Sequence, residues 1–236
     1  MEERSVQYGN TTLWYRLVRS DRRTLGFVIH PDTRVELRAP WGADVKKVDE
    51  LVLRRAAWIQ RQQDYFKTFL PVTPPRDYVS GETHLYLGKQ YRLKIHATTA
   101  LECVKLSGGR IHVHAHHPKD PRYVSGLLAG WYRAKATVRF EQALDQALPL
   151  FSKYRLQRPS INIRRMTNRW GSKTPKGRIM LNPELIKAPP RCIDYVMIHE
   201  LSHMVHPDHS AKYYALLDRV MPDRKRWKTR LEEVMA

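Results

Sequence analysis

Histidine and glutamate side chains that could hold and use a metal ion occur close together in the last quarter of the sequence. The run His199-Glu200-Leu201-Ser202-His203 has the pattern H-E-x-x-H, and His209 follows six residues later. On a helix, residues at i and i+4 lie on one face, so these first two imidazoles can bind one ion. Glu200 can then take a proton from a metal-activated water as general base. The pattern predicts a zinc-dependent hydrolase.

The end of the helix that carries this motif is predicted by Pro207. Proline disfavours helical conformation at His206, so the helix should end near residues 204–206. If the helix continued, His206 would lie roughly 10 Å along the axis from His199, whereas a zinc–nitrogen bond is only about 2 Å. A turn at Pro207 can instead bring His209 back toward the helix.

We therefore predict one zinc ion per chain, held by His199, His203 and His209. His206 and Asp208 are the rival third ligands. Three imidazoles leave the fourth zinc position open for water, which is the arrangement of a catalytic rather than a structural site.

A second group of histidines lies on a predicted strand. His112, His114 and His116 alternate along the sequence and would share one face of that strand. Because no carboxylate follows at a recognisable spacing, we predict a solvated strand face or a wall near the active site rather than a second metal site.

The elements that must position these residues predict an α+β fold. Short β-branched runs bounded by turn residues predict strands, and apolar residues recurring every three or four positions predict helices. The predicted strands are 13–18, 26–30, 35–39, 83–87, 91–95, 103–106, 111–114, 160–164 and 178–181. The predicted helices are 44–69, 121–151, the motif helix from 191 or 192, and 210–220. We predict a strand-rich region with one long helix over residues 1–120 and a metal-binding catalytic domain over residues 121–236.

Composition limits the partners of this protein. The formal net charge is +19, and residues 151–236 contain 18 Lys and Arg against 8 Asp and Glu. Such a surplus attracts anions and predicts an anionic substrate or peptide, a nucleotide or a nucleic acid. No apolar run approaches the roughly 20 residues that span a bilayer, and the N-terminus lacks a signal-peptide core. We predict a cytoplasmic protein without membrane contact.

The residues around the motif resemble the YgjP-like metallopeptidase family, a group of predicted metal-dependent hydrolases with a zincin-like catalytic domain. The resemblance is carried by Arg169-Trp170-Gly171-Ser172, by 177–182, by Asp194-Tyr195-Val196, and by the motif with His209-Ser210. It is strong over residues 164–231 and looser before residue 120. One departure is visible, because Lys173 stands where the family usually has cysteine.

The resemblance implies that His199, His203 and His209 are the zinc ligands, that Glu200 is catalytic, and that the reaction is peptide-bond cleavage. It also implies an alternative, a nucleoside triphosphate pyrophosphatase acting on a UTP-like substrate at the same zinc site. For the nucleotide alternative, cationic and aromatic residues near the motif are predicted to bind substrate: Arg165, Arg169, Trp170, Lys173 and Arg178. Trp170 can instead be a core residue under the motif helix. A second alternative is a basic nucleic-acid-binding module, which accounts for the charge but not for Glu200.

Overall fold

Alternating apolar and polar residues build a four-stranded sheet at the start of the chain. The structure is a computed structural model, and it describes residues 2–30, 32–67, 76–167, 169–174 and 177–235. The sheet has the order β1-β2-β4-β3, with β2 and β4 parallel and the other pairs antiparallel. Buried residues of β2 and β4 share a core with one face of a helix, α1. The elements are β1 (Glu2–Tyr8), β2 (Thr11–Ser20), β3 (Gly26–Ile29), β4 (Val35–Pro40) and α1 (Val45–Lys67).

A second four-stranded sheet repeats this topology. Its order is β5-β6-β8-β7, with β6 and β8 parallel and the other pairs antiparallel, and a long helix, α2, again follows the fourth strand. Alternate residues of β8 are fully buried in a core shared with α2, so one face of the sheet is covered. The elements are β5 (Thr83–Tyr86), β6 (Lys89–Ala97), β7 (Cys103–Ser107), β8 (Arg110–Ala115) and α2 (Pro121–Ala147).

Three short strands and three helices complete the fold. The strands form a mixed sheet of order β10-β11-β9, in which β11 is central. Two stretches of 3-10 helix, Leu148–Tyr154 and Pro183–Lys187, join the larger elements. The elements are β9 (Ile161–Ile163), β10 (Gly171–Lys173), β11 (Ile179–Leu181), α3 (Pro190–Val205), α4 (Ala211–Val220) and α5 (Arg224–Met235).

The α+β class predicted from the sequence is confirmed, and the described chain groups into two compact units within residues 1–74 and 75–235. The predicted division after residue 120 falls inside the second unit, because the second sheet shares its core with α2 and α3. The predicted helix 44–69 is observed as α1, and residues 68–69 lie outside the described residues. Within the described parts of the chain, no helix is long and apolar enough to cross a membrane.

The start of α3 is fixed by the turn between β5 and β6. The backbone N–H groups of Leu87 and Gly88 donate to the carbonyls of Ile186 and Lys187, at 3.0 and 2.9 Å. Gly88 has φ +76°, and a Cβ there would lie 2.8 Å from the ring of Pro189, so only glycine fits. Pro189 directly precedes α3, and the turn therefore anchors the end of the helix opposite the histidines.

Candidate metal centre

Helix α3 is buried on most sides and brings polar side chains to the edge of the core. The face of the helix before the motif that packs into the core is apolar, with Cys192, Ile193 and Met197 fully buried. Ser202 is also fully buried, and its hydroxyl donates to the carbonyl of Ile198 at 2.8 Å, which satisfies the group within the helix. The apolar sequence before the motif thus fixes the helix that presents the histidines.

The three predicted ligands converge in the structure. One ligand atom from each of His199, His203 and His209 lies within 4.8 Å of the other two. The Nε2 atom of His203 lies 3.2 Å from Nε2 of His199 and 3.1 Å from Nε2 of His209. Zinc bound tetrahedrally at about 2.05 Å places its nitrogen ligands about 3.3 Å apart, so these spacings fit one zinc ion.

Groups on the far side of the rings orient two of the imidazoles. Nδ1 of His203 lies 3.3 Å from the carbonyl oxygen of His206, which can only accept, so Nδ1 carries the proton and Nε2 of His203 presents its lone pair to the cluster. Nδ1 of His199 lies 2.7 Å from the hydroxyl oxygen of Tyr213, and this contact holds the ring with its Nε2 atom toward the cluster.

The helix ends where Pro207 predicts, and His209 is the histidine that the following turn brings back to the two helical histidines. Helix α3 stops at Val205, and His206 has the extended backbone angles φ −125° and ψ 107°. The backbone carbonyl of His206 contacts the cluster, while its ring is not part of the converging group. His209 precedes Ser210, whose hydroxyl accepts from the N–H of Tyr213 and begins α4.

Glu200 lies against β10. Its side chain is 5% exposed, and the backbone N–H of Lys173 donates to its carboxylate. A Cβ on Gly171 would lie 2.6 Å from Oε1 of Glu200 and 3.0 Å from Cγ1 of Val196. Because those distances are shorter than real Cβ contacts allow, Glu200 can occupy this position only beside glycine.

Burial changes the pKa values of the two neighbouring groups in opposite directions. Burial raises the pKa of Glu200 to about 7, opposed by the Lys173 N–H and the charge of Arg169. Burial, together with His203 and His209, lowers the pKa of His199 to about 3. In the metal-free protein at neutral pH, the imidazole of His199 is therefore neutral and has one nitrogen lone pair that can bind a metal.

The raised pKa of Glu200 predicts a stability effect in the metal-free protein. With a folded pKa of about 7 and an unfolded value of 4.5, the folded state holds the extra proton, so this contribution is present below pH 4.5 and lost as pH rises through 7. Metal-free Glu200→Gln should therefore be more stable than wild type at pH 8, by up to roughly 3 kcal/mol, and similar to it at pH 4. Urea unfolding in a chelator measures the difference, and equal stabilities at both pH values would contradict it.

Tyr213 supports His199 from behind, and its removal should weaken the metal site. Its side chain is fully buried, so Tyr213→Phe removes the hydroxyl and keeps the packing of the ring. Zinc affinity should fall about tenfold to hundredfold, which competition with a chromophoric chelator measures. Tyr214→Phe is the matched control, since the Tyr214 ring stacks near His209 without a hydroxyl contact to a ligand among the described residues. Equal affinities for the two variants would refute the supporting role.

A cavity of about 190 Å³ opens beside Glu200 and His199. Trp170 lines it and is half-buried, so this side chain is neither fully in the core nor free in solvent. The charge of Arg169 acts on Glu200 and that of Lys173 acts on His203. None of the four predicted cations, Arg165, Arg169, Lys173 and Arg178, lines the cavity. A larger cavity, of about 620 Å³, lies in the first unit and contains none of the predicted site residues.

Sequence reasoning missed several neighbours of the site. The contact of Tyr213 with His199 was not predicted, and neither was α5, which supplies Lys228, Leu231 and Glu232 to the cavity. The apolar residues Trp227, Leu231 and Val234 recur at helical spacing and could have revealed α5.

The predicted strand at residues 178–181 is observed as β11, which is central in its sheet, with β10 and β9 at the two edges. One expectation about strands is wrong. His116 does not share the strand of His112 and His114, because β8 ends at Ala115.

Comparison with known proteins identifies a family and a similar solved structure. The family model described as "YgjP-like, metallopeptidase domain" matches residues 23–234. A solved structure of the metallopeptidase zymogen abylysin of Pyrococcus abyssi is similar at 23% identity and a TM-score of 0.35, over 41% of this chain and 99% of that one. No curated protein sequence matches the chain.

Proposed function

The chain belongs to the YgjP-like metallopeptidase family, and on this premise we propose that it is a zinc-dependent hydrolase that cleaves peptide bonds. One observation carries the proposal. Helix α3 carries two of the three converging imidazoles, and it also places the carboxyl of Glu200 in contact with the edge strand β10. A metal site, a base and a strand edge that can bind peptide backbone thus lie together.

In this proposal, His199, His203 and His209 hold one zinc ion. Imidazole nitrogens suit zinc, and three of them leave a position open for substrate or water. Bound zinc supplies two kinds of chemistry, because it acidifies water and polarises a carbonyl group.

Glu200 moves the proton. Its carboxylate accepts a proton from the attacking water and returns it to the nitrogen of the leaving amine. A pKa near neutrality suits both steps, and burial beside β10 provides it. The N–H of Lys173 holds the carboxylate in place and favours its ionised form.

The substrate peptide is proposed to lie along β10. Two residues next to β10 form backbone hydrogen bonds on the side of β11. The carbonyl of Trp170 accepts from the N–H of Asn182, and the N–H of Thr174 donates to the carbonyl of Arg178. Backbone groups alternate in direction along a strand, so those of Gly171 and Lys173 point away from β11. The N–H of Lys173 is taken by Glu200, which leaves the N–H and carbonyl of Gly171 and the carbonyl of Lys173 for a peptide. An extended peptide can add to such an edge through its main chain.

A second candidate function is hydrolysis of nucleoside triphosphates at the same site. It is favoured by two cations whose charges act on the site, Arg169 on Glu200 and Lys173 on His203, since guanidinium and ammonium groups bind phosphate oxygens. Trp170, which lines the cavity, offers a ring on which a base can stack. A cytoplasmic location stays a prediction in either case.

One assay panel tests the proposal. Zinc-loaded wild type and Glu200→Gln are incubated with unstructured peptides and with nucleoside triphosphates, and the cleavage products are measured. We expect peptide cleavage by the wild type alone. Pyrophosphate release without peptide cleavage would replace the proposal by the second candidate, and equal activity of both proteins would contradict catalysis by Glu200.

A further inference from the structure

The uncovered face of the second sheet is strongly basic. Four exposed cations stand on it, two on β6 and one each on β7 and β8. Alternate positions place them on the side opposite the core shared with α2. They are Arg92, Lys94, Lys105 and Arg110.

No carboxylate neutralises this face within the described strands. The outward positions of β5 to β8 hold no Asp or Glu, and none of the four cations has an ion-pair partner among the described residues. The acidic residues next to these strands bond elsewhere: Glu82 accepts from the N–H of Tyr78, and Glu102 accepts from the hydroxyl of Tyr123 on α2.

The first sheet has the same topology and gives an internal comparison. There Arg16 and Arg38 pair with Glu3 and Glu36 at 3.2 and 2.6 Å. The topology therefore does not itself require unpaired charge, because the outward-facing arginines of the first sheet are neutralised whereas those of the second sheet are not.

Three imidazoles lie together at one end of the same face. The ring of His96 stacks on that of His114, at a centroid distance of 4.7 Å and an interplanar angle of 12°. Nε2 of His96 lies 3.0 Å from Nδ1 of His112, so those two rings meet edge to edge through a hydrogen bond. At the other end, where Arg92 and Arg110 are cross-strand neighbours, a cavity of about 360 Å³ opens.

We propose that this face binds single-stranded nucleic acid. The four cations contact phosphates. The spacing of alternate residues along a strand, and of residues on neighbouring strands, is similar to the spacing of phosphates along a single strand of nucleic acid. The half-buried histidine rings stack on unpaired bases, as aromatic side chains on open sheets do in other single-strand binders. A duplex hides its base faces, so the stacking rings favour a single strand. This inference is independent of the proposed hydrolase.

The first test is a charge comparison. Fluorescence anisotropy measures binding of labelled oligo-dT and oligo-rU to the full chain. The variant Arg92→Gln/Lys94→Gln/Lys105→Gln/Arg110→Gln should bind at least about tenfold more weakly, with a salt slope shallower by about 0.7 for each phosphate that the protein no longer neutralises. The matched control removes four exposed cations of α1 and α2 that have no ion-pair partner among the described residues: Arg54→Gln/Arg55→Gln/Arg61→Gln/Arg133→Gln. Equal weakening in both variants would overturn the assignment to this face.

The second test separates bases from phosphates. His96→Ala should weaken binding of oligo-dT about tenfold and leave binding of an abasic strand of equal length unchanged. Preference for RNA or DNA identifies the source of the strand, and either supports the proposal. Inorganic polyphosphate that binds as tightly as oligo-dT, with no effect of His96→Ala on either, would overturn the assignment to nucleic acid.

Discussion

Replacing Glu200 with glutamine should lower turnover by about 10²-fold to 10⁴-fold while one metal ion stays bound per chain. Glutamine has nearly the shape of glutamate and can accept the N–H of Lys173, but it cannot take a proton from water. The helix and the three imidazoles are unchanged, so the loss should fall on kcat rather than on metal content.

The measurement pairs steady-state kinetics with metal analysis of the same sample. Glu233→Gln, which removes an exposed carboxylate from α5, is the matched control and should keep its activity. Turnover by Glu200→Gln at the wild-type rate would refute the general-base role. Loss of the metal from that variant would instead show that Glu200 helps to hold the ion.

Removing two of the three imidazoles should empty the metal site. His199→Ala/His203→Ala leaves only the exposed His209, and a single imidazole does not hold zinc against dialysis. Zinc per chain, measured by elemental analysis after dialysis, should fall from about one to background.

His206→Ala is the control for the double variant. Nδ1 of His203 donates to the backbone carbonyl of residue 206, and alanine keeps that carbonyl. Metal content should therefore not change. Full zinc retention in the double variant would contradict the assignment of His199 and His203 as ligands. Zinc loss in His206→Ala would show that His206 is a metal ligand.

The local part of the site could be predicted because its determinants are local. The i, i+4 spacing places His199 and His203 together on any helix, and Pro207 ends that helix whatever surrounds it. The return of His209 needs only a short turn. A few residues close in sequence were therefore enough to predict the cluster that the structure brings together.

The remainder depends on contacts between distant segments, which periodicity does not encode. The run 178–181 looks like a strand from its residues, but whether it is central or an edge depends on β10 pairing with it. Tyr213 has the spacing of a core residue, and only the approach of α4 to α3 gives its hydroxyl a partner in His199. The repeated topology of the two large sheets is likewise a pattern of pairing between strands.

The contact between Gly171 and Glu200 has an evolutionary consequence. Any side chain at residue 171 would displace the glutamate, so the two positions cannot drift independently. A lineage that lost Glu200 would release residue 171 to accept alanine or serine, and the strand would gain stability from the change. Loss of glycine at this point of β10 should therefore identify relatives that have given up the chemistry while keeping the fold.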